Sequence, residues 1–96
     1  MGWYRIAQAK YPRVIAERVF EGEEKSRWPN YICLETSQKN GPVDAVNVVY
    51  YRDIETGEEC GDFFFENVEE AIFWCSEALE ISKGEFIFFS PFLKLD

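Results

Sequence analysis

The side chains with chemical potential in this sequence are carboxylates and thiols. Eighteen acids stand against ten bases, for a net charge of −8, and histidine is absent. Without imidazole, a serine or cysteine nucleophile has no usual base beside it. No GxxxxGK[ST] or GxGxxG stretch occurs, so no phosphate-cradling loop is expected. Paired carboxylates can do acid–base work, but eighteen acids make chance pairs common, so pairing alone specifies nothing. Asp53, Glu55 and Glu58 are close enough in sequence to suggest a divalent cation. Counting an EF-hand loop from Asp53 puts Glu58 where the loop needs glycine and Phe64 where it needs glutamate, so that site is rejected. The sequence points to a chain with no catalytic residue, no metal and no cofactor.

The thiols add no reactive centre. Cys33, Cys60 and Cys75 are odd in number and form no CxxC pair, unlike a disulfide scaffold or a zinc site. Three reduced thiols in the cytoplasm are expected. Cys60 stands among Glu58, Glu59 and Asp62, whose charge should raise its pKa and make it a poor nucleophile. The segment Met1 to Arg5 has no basic stretch leading into an apolar one, and position 6 is Ile rather than Ser or Thr; neither a signal peptide nor a myristoylation site is expected. No apolar run approaches the length of a membrane span. An acidic chain lacks the positive face that nucleic-acid phosphates require.

The acids are not evenly spread. Residues 1–52 carry six acids and eight bases, whereas residues 53–85 carry eleven acids and one base, Lys83. Consecutive segments should hold these charges near one another, at a cost in mutual repulsion. A solvated face that keeps the protein soluble is the plain explanation. Solubility alone, however, would allow the acids to be scattered.

The elements that must position these residues are short. With 96 residues the chain has room for one core, hence a single domain over 1–96. Turn chemistry marks Glu21–Asn30, the Ser37–Pro42 stretch with its Asn-Gly step, and the Asp53–Gly57 hairpin. Asn30–Thr36, Asp44–Arg52 and Glu59–Phe65 are rich in β-branched and aromatic residues and read as strands. Trp3–Ala9 reads as a strand or an ordered arm. Arg13–Phe20 reads as a strand from its β-branched content, although Pro12 suits a helix start equally well. Glu85–Phe89 reads as a last strand, stopped by Ser90-Pro91. One helix is expected over about 67–82: Asn67 is an N-cap with Glu70 three residues on, as in a capping box, and Glu69 and Glu70 favour the first turn. Val68, Ala71, Ile72, Cys75, Leu79 and Ser82 form its inner stripe, and Lys83-Gly84 its end. The architecture implied is α+β, an antiparallel sheet of four to six strands with the helix on one face and a final strand after it. One helix covers one face, and seventeen aromatics (nine Phe, five Tyr, three Trp) are many for one small core. Self-association through the uncovered face, with Tyr50, Tyr51, Phe88 and Phe89 in a homodimer interface, is one outcome.

On a helical wheel, Glu69, Glu70, Glu77 and Glu80 fall opposite the inner stripe, with Phe73 among them and Trp74 on a flank. An outward phenylalanine ringed by carboxylates is an apolar anchor with a steering rim. Together with Asp53, Glu55, Glu58, Glu59 and Asp62 of the hairpin, these residues form the expected docking surface for a basic protein. The alternative is that a loop or the segment Pro91–Asp96 covers Phe73 and Trp74.

The stretch from Tyr50 to Ser82 resembles the small acidic immunity proteins of bacterial toxin systems. The resemblance rests on the Phe63–Phe65 run, the Asn67 cap, and Glu69-Glu70-Ala71-Ile72 leading through Trp74, Glu77 and Leu79. It implies a cytosolic protein that binds one cognate toxin, often a nuclease, and blocks it, with no catalytic residues of its own. A phage-encoded acidic DNA mimic that titrates a nucleic-acid enzyme follows the same charge logic.

Overall fold

The computed structural model describes residues 2–40 and 42–95; Gly41, the glycine of the expected Asn-Gly turn, lies outside the described residues. In chain order the elements are β1 (Tyr4–Lys10), α1 (Arg13–Val19), β2 (Tyr31–Thr36), β3 (Val46–Asp53), β4 (Glu58–Phe65), α2 (Val68–Ala78) and β5 (Ile87–Lys94), with short 3-10 turns at Lys25–Arg27 and Lys83–Glu85. The strands form one sheet in the order β4-β3-β2-β1-β5, and every neighbouring pair is antiparallel. This is an α+β fold with α2 as its main helix and its last strand after that helix, as the sequence implies. Trp3–Ala9 resolves as the strand β1, and β5 joins the sheet at its side.

Three local expectations are corrected. The Arg13–Phe20 stretch is a helix over Arg13–Val19, with Phe20 as its C-cap, rather than a strand. Pro12 sits at its N-cap with φ −61°, and its carbonyl accepts from the Ile15 and Ala16 amides. Ile15, Ala16, Val19 and Phe20 then fall on one side and pack on the core, so helical spacing outweighs β-branching. Second, β5 runs through Ser90-Pro91 to Lys94. It is an edge strand, where a residue without an N–H need not break a ladder bond, and its register with β1 shifts between the Ala7–Phe88 and Arg5–Leu93 pairs. Third, α2 stops at Ala78. Leu79 caps it, Glu80 takes the left-handed φ of 59°, and the Ile81 amide donates back to the Cys75 carbonyl. Ending there lets Ile81 turn inward and become fully buried. Ser82 therefore leaves the inner stripe and caps the next turn. The reciprocal capping box forms at Ser82 and Glu85, whereas Asn67 provides only the forward bond, its Oδ1 accepting from the Glu70 amide at 2.8 Å.

Register decides which side chains share a face. Ile32, Leu34, Val46, Val48 and Tyr50 point to the side covered by α1 and α2, and form the main core with Ala16, Ala71, Cys75, Leu79 and Ile81. The helices lock together there: the Tyr11 hydroxyl donates to the Leu79 carbonyl at 2.9 Å, and Phe20 stands edge-on to both Tyr11 and Tyr50. Cys33, Val49 and Tyr51 alternate to the other side and form a second cluster with Tyr31 and Ile54. Among the described residues no helix covers that side. Its centre is closed by Arg5, whose Nε and one terminal nitrogen donate to Glu35 at 3.0 and 2.9 Å, and by the Tyr51 hydroxyl, which donates to the same carboxylate at 2.7 Å. The Arg5 guanidinium also lies 5.1 Å from the Tyr51 ring centroid. Arg5 and Glu35 are only 6% and 5% exposed.

Candidate functional site

The expected docking residues separate into three groups. The first lies on α2. Ala71 and Cys75 point inward, which turns Phe73 outward; its ring is 67% exposed. Glu69 and Glu70 precede it by four and three positions and Glu77 follows by four, so all three neighbour it on the helix surface. Beside Phe73 a shallow groove is lined by Glu69, Ile72, Ser76, Ser82 and Lys83. Among the described residues no loop or C-terminal segment covers Phe73. Trp74 is different: it is half-buried, with its ring 5.0 Å from Phe63 and 5.3 Å from Phe65 between centroids. Glu80 also departs from this group, because its carboxylate pairs with Arg18 of α1.

The second group is the hairpin tip. The Asp53 carboxylate is spent on the turn, accepting from the Glu55 amide at 2.9 Å and the Thr56 amide at 3.3 Å. Gly57, at φ 77°, completes it. Glu55 and Glu58 stand exposed at this end of the sheet.

The third group lies on the open face. Glu59 pairs across from Tyr51 and Asp62 from Val49, so both carboxylates belong to the side away from α2. They line a groove of about 440 Å³ with Trp3, Glu35, Asn47, Val49, Tyr51 and Leu95. Burial, with the charges of Glu35 and Asp62, raises the Glu59 pKa above the ordinary carboxylate range. A single surface joining the hairpin acids to Phe73 is thus not what the sheet builds; β4 divides them. Sequence reading missed Trp3, Glu35, Val49 and Leu95. The usable signal was a glutamate in the apolar run NYICLET, matched by an arginine in the first strand.

On the covered side, a larger groove of about 540 Å³ runs between α1, β4 and α2, lined by Phe20, Tyr50, Cys60, Phe63 and Trp74 among others, with Asp62 on its rim. Cys60 is partly buried there; its pKa is raised first by burial, with Glu58 and Glu59 adding to it and Arg52 and Arg27 opposing. Burial likewise pushes Cys33 and Cys75 up to about 12. No metal-holding cluster of three or more Cys, Asp or Glu side chains occurs among the described residues.

The residues expected in a homodimer interface do not share a face. Tyr50 and Tyr51 point to opposite sides and both are buried, because successive strand residues alternate. Phe88 pairs with Ala7 and faces the helix side, where it contacts Phe86.

Comparison of the chain with protein-family models, with curated proteins and with solved structures gives no match. Among the described residues no helix is long and apolar enough to cross a membrane.

Proposed function

We propose that this protein is a non-catalytic inhibitor that binds and neutralises a basic protein, acting in the cytoplasm as an immunity protein against a nuclease-type toxin. The observation that carries the reading is Phe73, two-thirds exposed on α2 among Glu69, Glu70 and Glu77. Exposing a phenylalanine to water forgoes burial worth roughly 1.5–3 kcal/mol. Placing it among like charges keeps it from nucleating self-association and suits it to a cationic surface with an apolar hollow. A nuclease must present positive charge to its substrate. Carboxylates facing that charge raise the encounter rate and oppose wrong partners. The raised thiol pKa values support a non-catalytic role, since none of the three cysteines favours the thiolate.

The test is affinity capture at low salt, followed by assay of the captured protein. The expected result is a basic protein retained in 1:1 ratio, released as salt rises from about 50 to 500 mM by charge screening, whose nuclease activity is blocked by the purified inhibitor. The variant Glu70→Lys/Phe73→Ala/Glu77→Lys should fold normally by circular dichroism and lose the block. Glu80 is left intact because it serves Arg18. A partner that is not basic, or full inhibition by the triple variant, overturns the reading.

A further inference from the structure

We propose that the open face of the sheet is a second docking surface, one that takes an arginine side chain of a basic protein segment into the groove between Trp3, Tyr51, Glu59 and Asp62. It shares with the function proposed above only the charge of the partner, and does not depend on the α2 surface.

Three observations carry it. The face carries no helix yet is apolar: Trp3 is 46% exposed, Leu93 and Phe64 are exposed across from Arg5 and Asn47, and Val49 and Leu95 line the groove. Both helices lie on the opposite side. Second, the charge is one-sided. Of the three carboxylates in the groove, Glu35 is consumed by Arg5 and Tyr51. Glu59 and Asp62 make no ion pair among the described residues, and no basic side chain lines the groove. A cation entering here meets two unspent carboxylates and displaces none of the chain's own pairs.

Third, the face already holds one guanidinium in such a setting. Arg5 lies over the Tyr51 ring and donates twice to Glu35. Trp3, from the start of β1, and two carboxylates of β4 line the same hollow from its opposite ends, and no arginine lines it. Arginine fits better than lysine because its planar fork stacks on a ring while bonding carboxylates bidentately. The backbone fixes the walls: the Trp3 carbonyl accepts from the Leu95 amide at 3.0 Å, tying the residue before β1 to the residue after β5 beside the groove.

The probe is the dipeptide acetyl-Arg-Arg-amide, with its citrulline counterpart as a neutral control, titrated into isotope-labelled full-length protein and followed by NMR. The expected shifts concentrate on the Trp3 indole N–H, the Asn47 side-chain amide and the Val49 methyls, and they fade in 500 mM salt. Citrulline should produce less than a tenth of the shift at equal concentration. The variant Glu59→Gln/Asp62→Asn should weaken binding at least tenfold, and Trp3→Ala severalfold, each with an otherwise unchanged spectrum. Shifts spread over the α2 carboxylates, equal shifts with citrulline, or binding unaffected by both variants would overturn the proposal. So would shifts of the same groove resonances on raising protein concentration alone, with a dimer in sedimentation, because the occupant would then be a second copy. Failure here leaves Phe73 and its nuclease test untouched, and failure there leaves this groove standing.

Discussion

The two faces of the sheet are buried by different means. Leu34 and Glu35 are neighbours on β2, and both are almost completely shielded from water. Leu34 gains its shielding from a second layer, α1 and α2 with Tyr11, Phe20 and Ile81. Glu35 has no second layer. It is shielded by side chains laid flat along the sheet, Arg5 across β1 and Tyr51 from β3. Where helices cover a sheet, apolar area contributes the stability directly. Where they do not, a small domain can still dry its surface with long polar side chains, provided every donor and acceptor is matched. A face closed by a single matched network holds its shape without being filled, and this is what leaves a groove beside it.

If both faces are equally dry, alkaline pH should reveal it, and this is the largest effect expected. Cys33 on the open face and Cys75 under α2 are each raised by burial from 9.0 to about 12. The folded state therefore holds these protons when the unfolded chain has lost them. Stability is complete below pH 9 and falls as pH rises towards 12, by about 1.4 kcal/mol per pH unit for each linked proton. Buried Tyr11, Tyr50 and Tyr51, also raised chiefly by burial, act in the same direction. Urea midpoints measured from pH 8 to 11 should decline steeply. Cys33→Ala and Cys75→Ala should each flatten that decline to a similar extent. A Cys33→Ala profile as steep as the parent's would mean that water reaches the open face.

The next effect separates the two mechanisms. Glu35→Leu leaves the Arg5 guanidinium buried without its carboxylate, which should cost about 3–5 kcal/mol. Arg5→Leu/Glu35→Leu removes both charges and should return to within about 1 kcal/mol of the parent. Leu34→Ala, one residue away, opens a cavity at a cost of about 2–5 kcal/mol, and no second truncation on that face restores it. Denaturation of the four proteins checks this. A double variant as unstable as Glu35→Leu would show that the network does more than neutralise itself.

Much of this contrast is legible in the sequence, and what is not has a physical reason. The α+β class, the Asp53–Gly57 turn, the Asn67 cap and the exposure of Phe73 follow from spacing and turn chemistry, which are local. Arg13–Phe20 misleads because eight residues with Val and Ile satisfy either period, and contact with Tyr11 and Tyr50 decides between them. Pro91 misleads because a proline stops only a strand that needs its N–H, and an edge position is not written in the sequence. The grouping of acids fails for the same reason. Nearness along the chain places Asp62 close to Phe63, but strand alternation sends them to opposite faces. The Arg5–Glu35 pair spans thirty positions, and no periodicity links its members until the register of β1 with β2 is known.

The smallest effect concerns how the covering layer begins, and it tests whether the two faces are independent. Asn67 accepts from the Glu70 amide at 2.8 Å, and the reciprocal bond of a full capping box is found instead at Ser82 and Glu85. The α2 N-terminus therefore leans on one side-chain oxygen, with Glu69 and Glu70 favourably placed towards the helix dipole. Asn67→Ala removes that acceptor and should cost about 1 kcal/mol. Asn67→Asp keeps the oxygen and adds a charge suited to a helix N-terminus, but sets it near Glu69 and Glu70; these opposing terms should leave stability close to the parent's. The loss in Asn67→Ala should appear as faster amide exchange in the first turn of α2, while the exchange of Cys33 and Val49 on β2 and β3 changes only by the global shift. If the open-face amides loosen more than that, α2 supports the groove through the sheet, and the two surfaces respond as one.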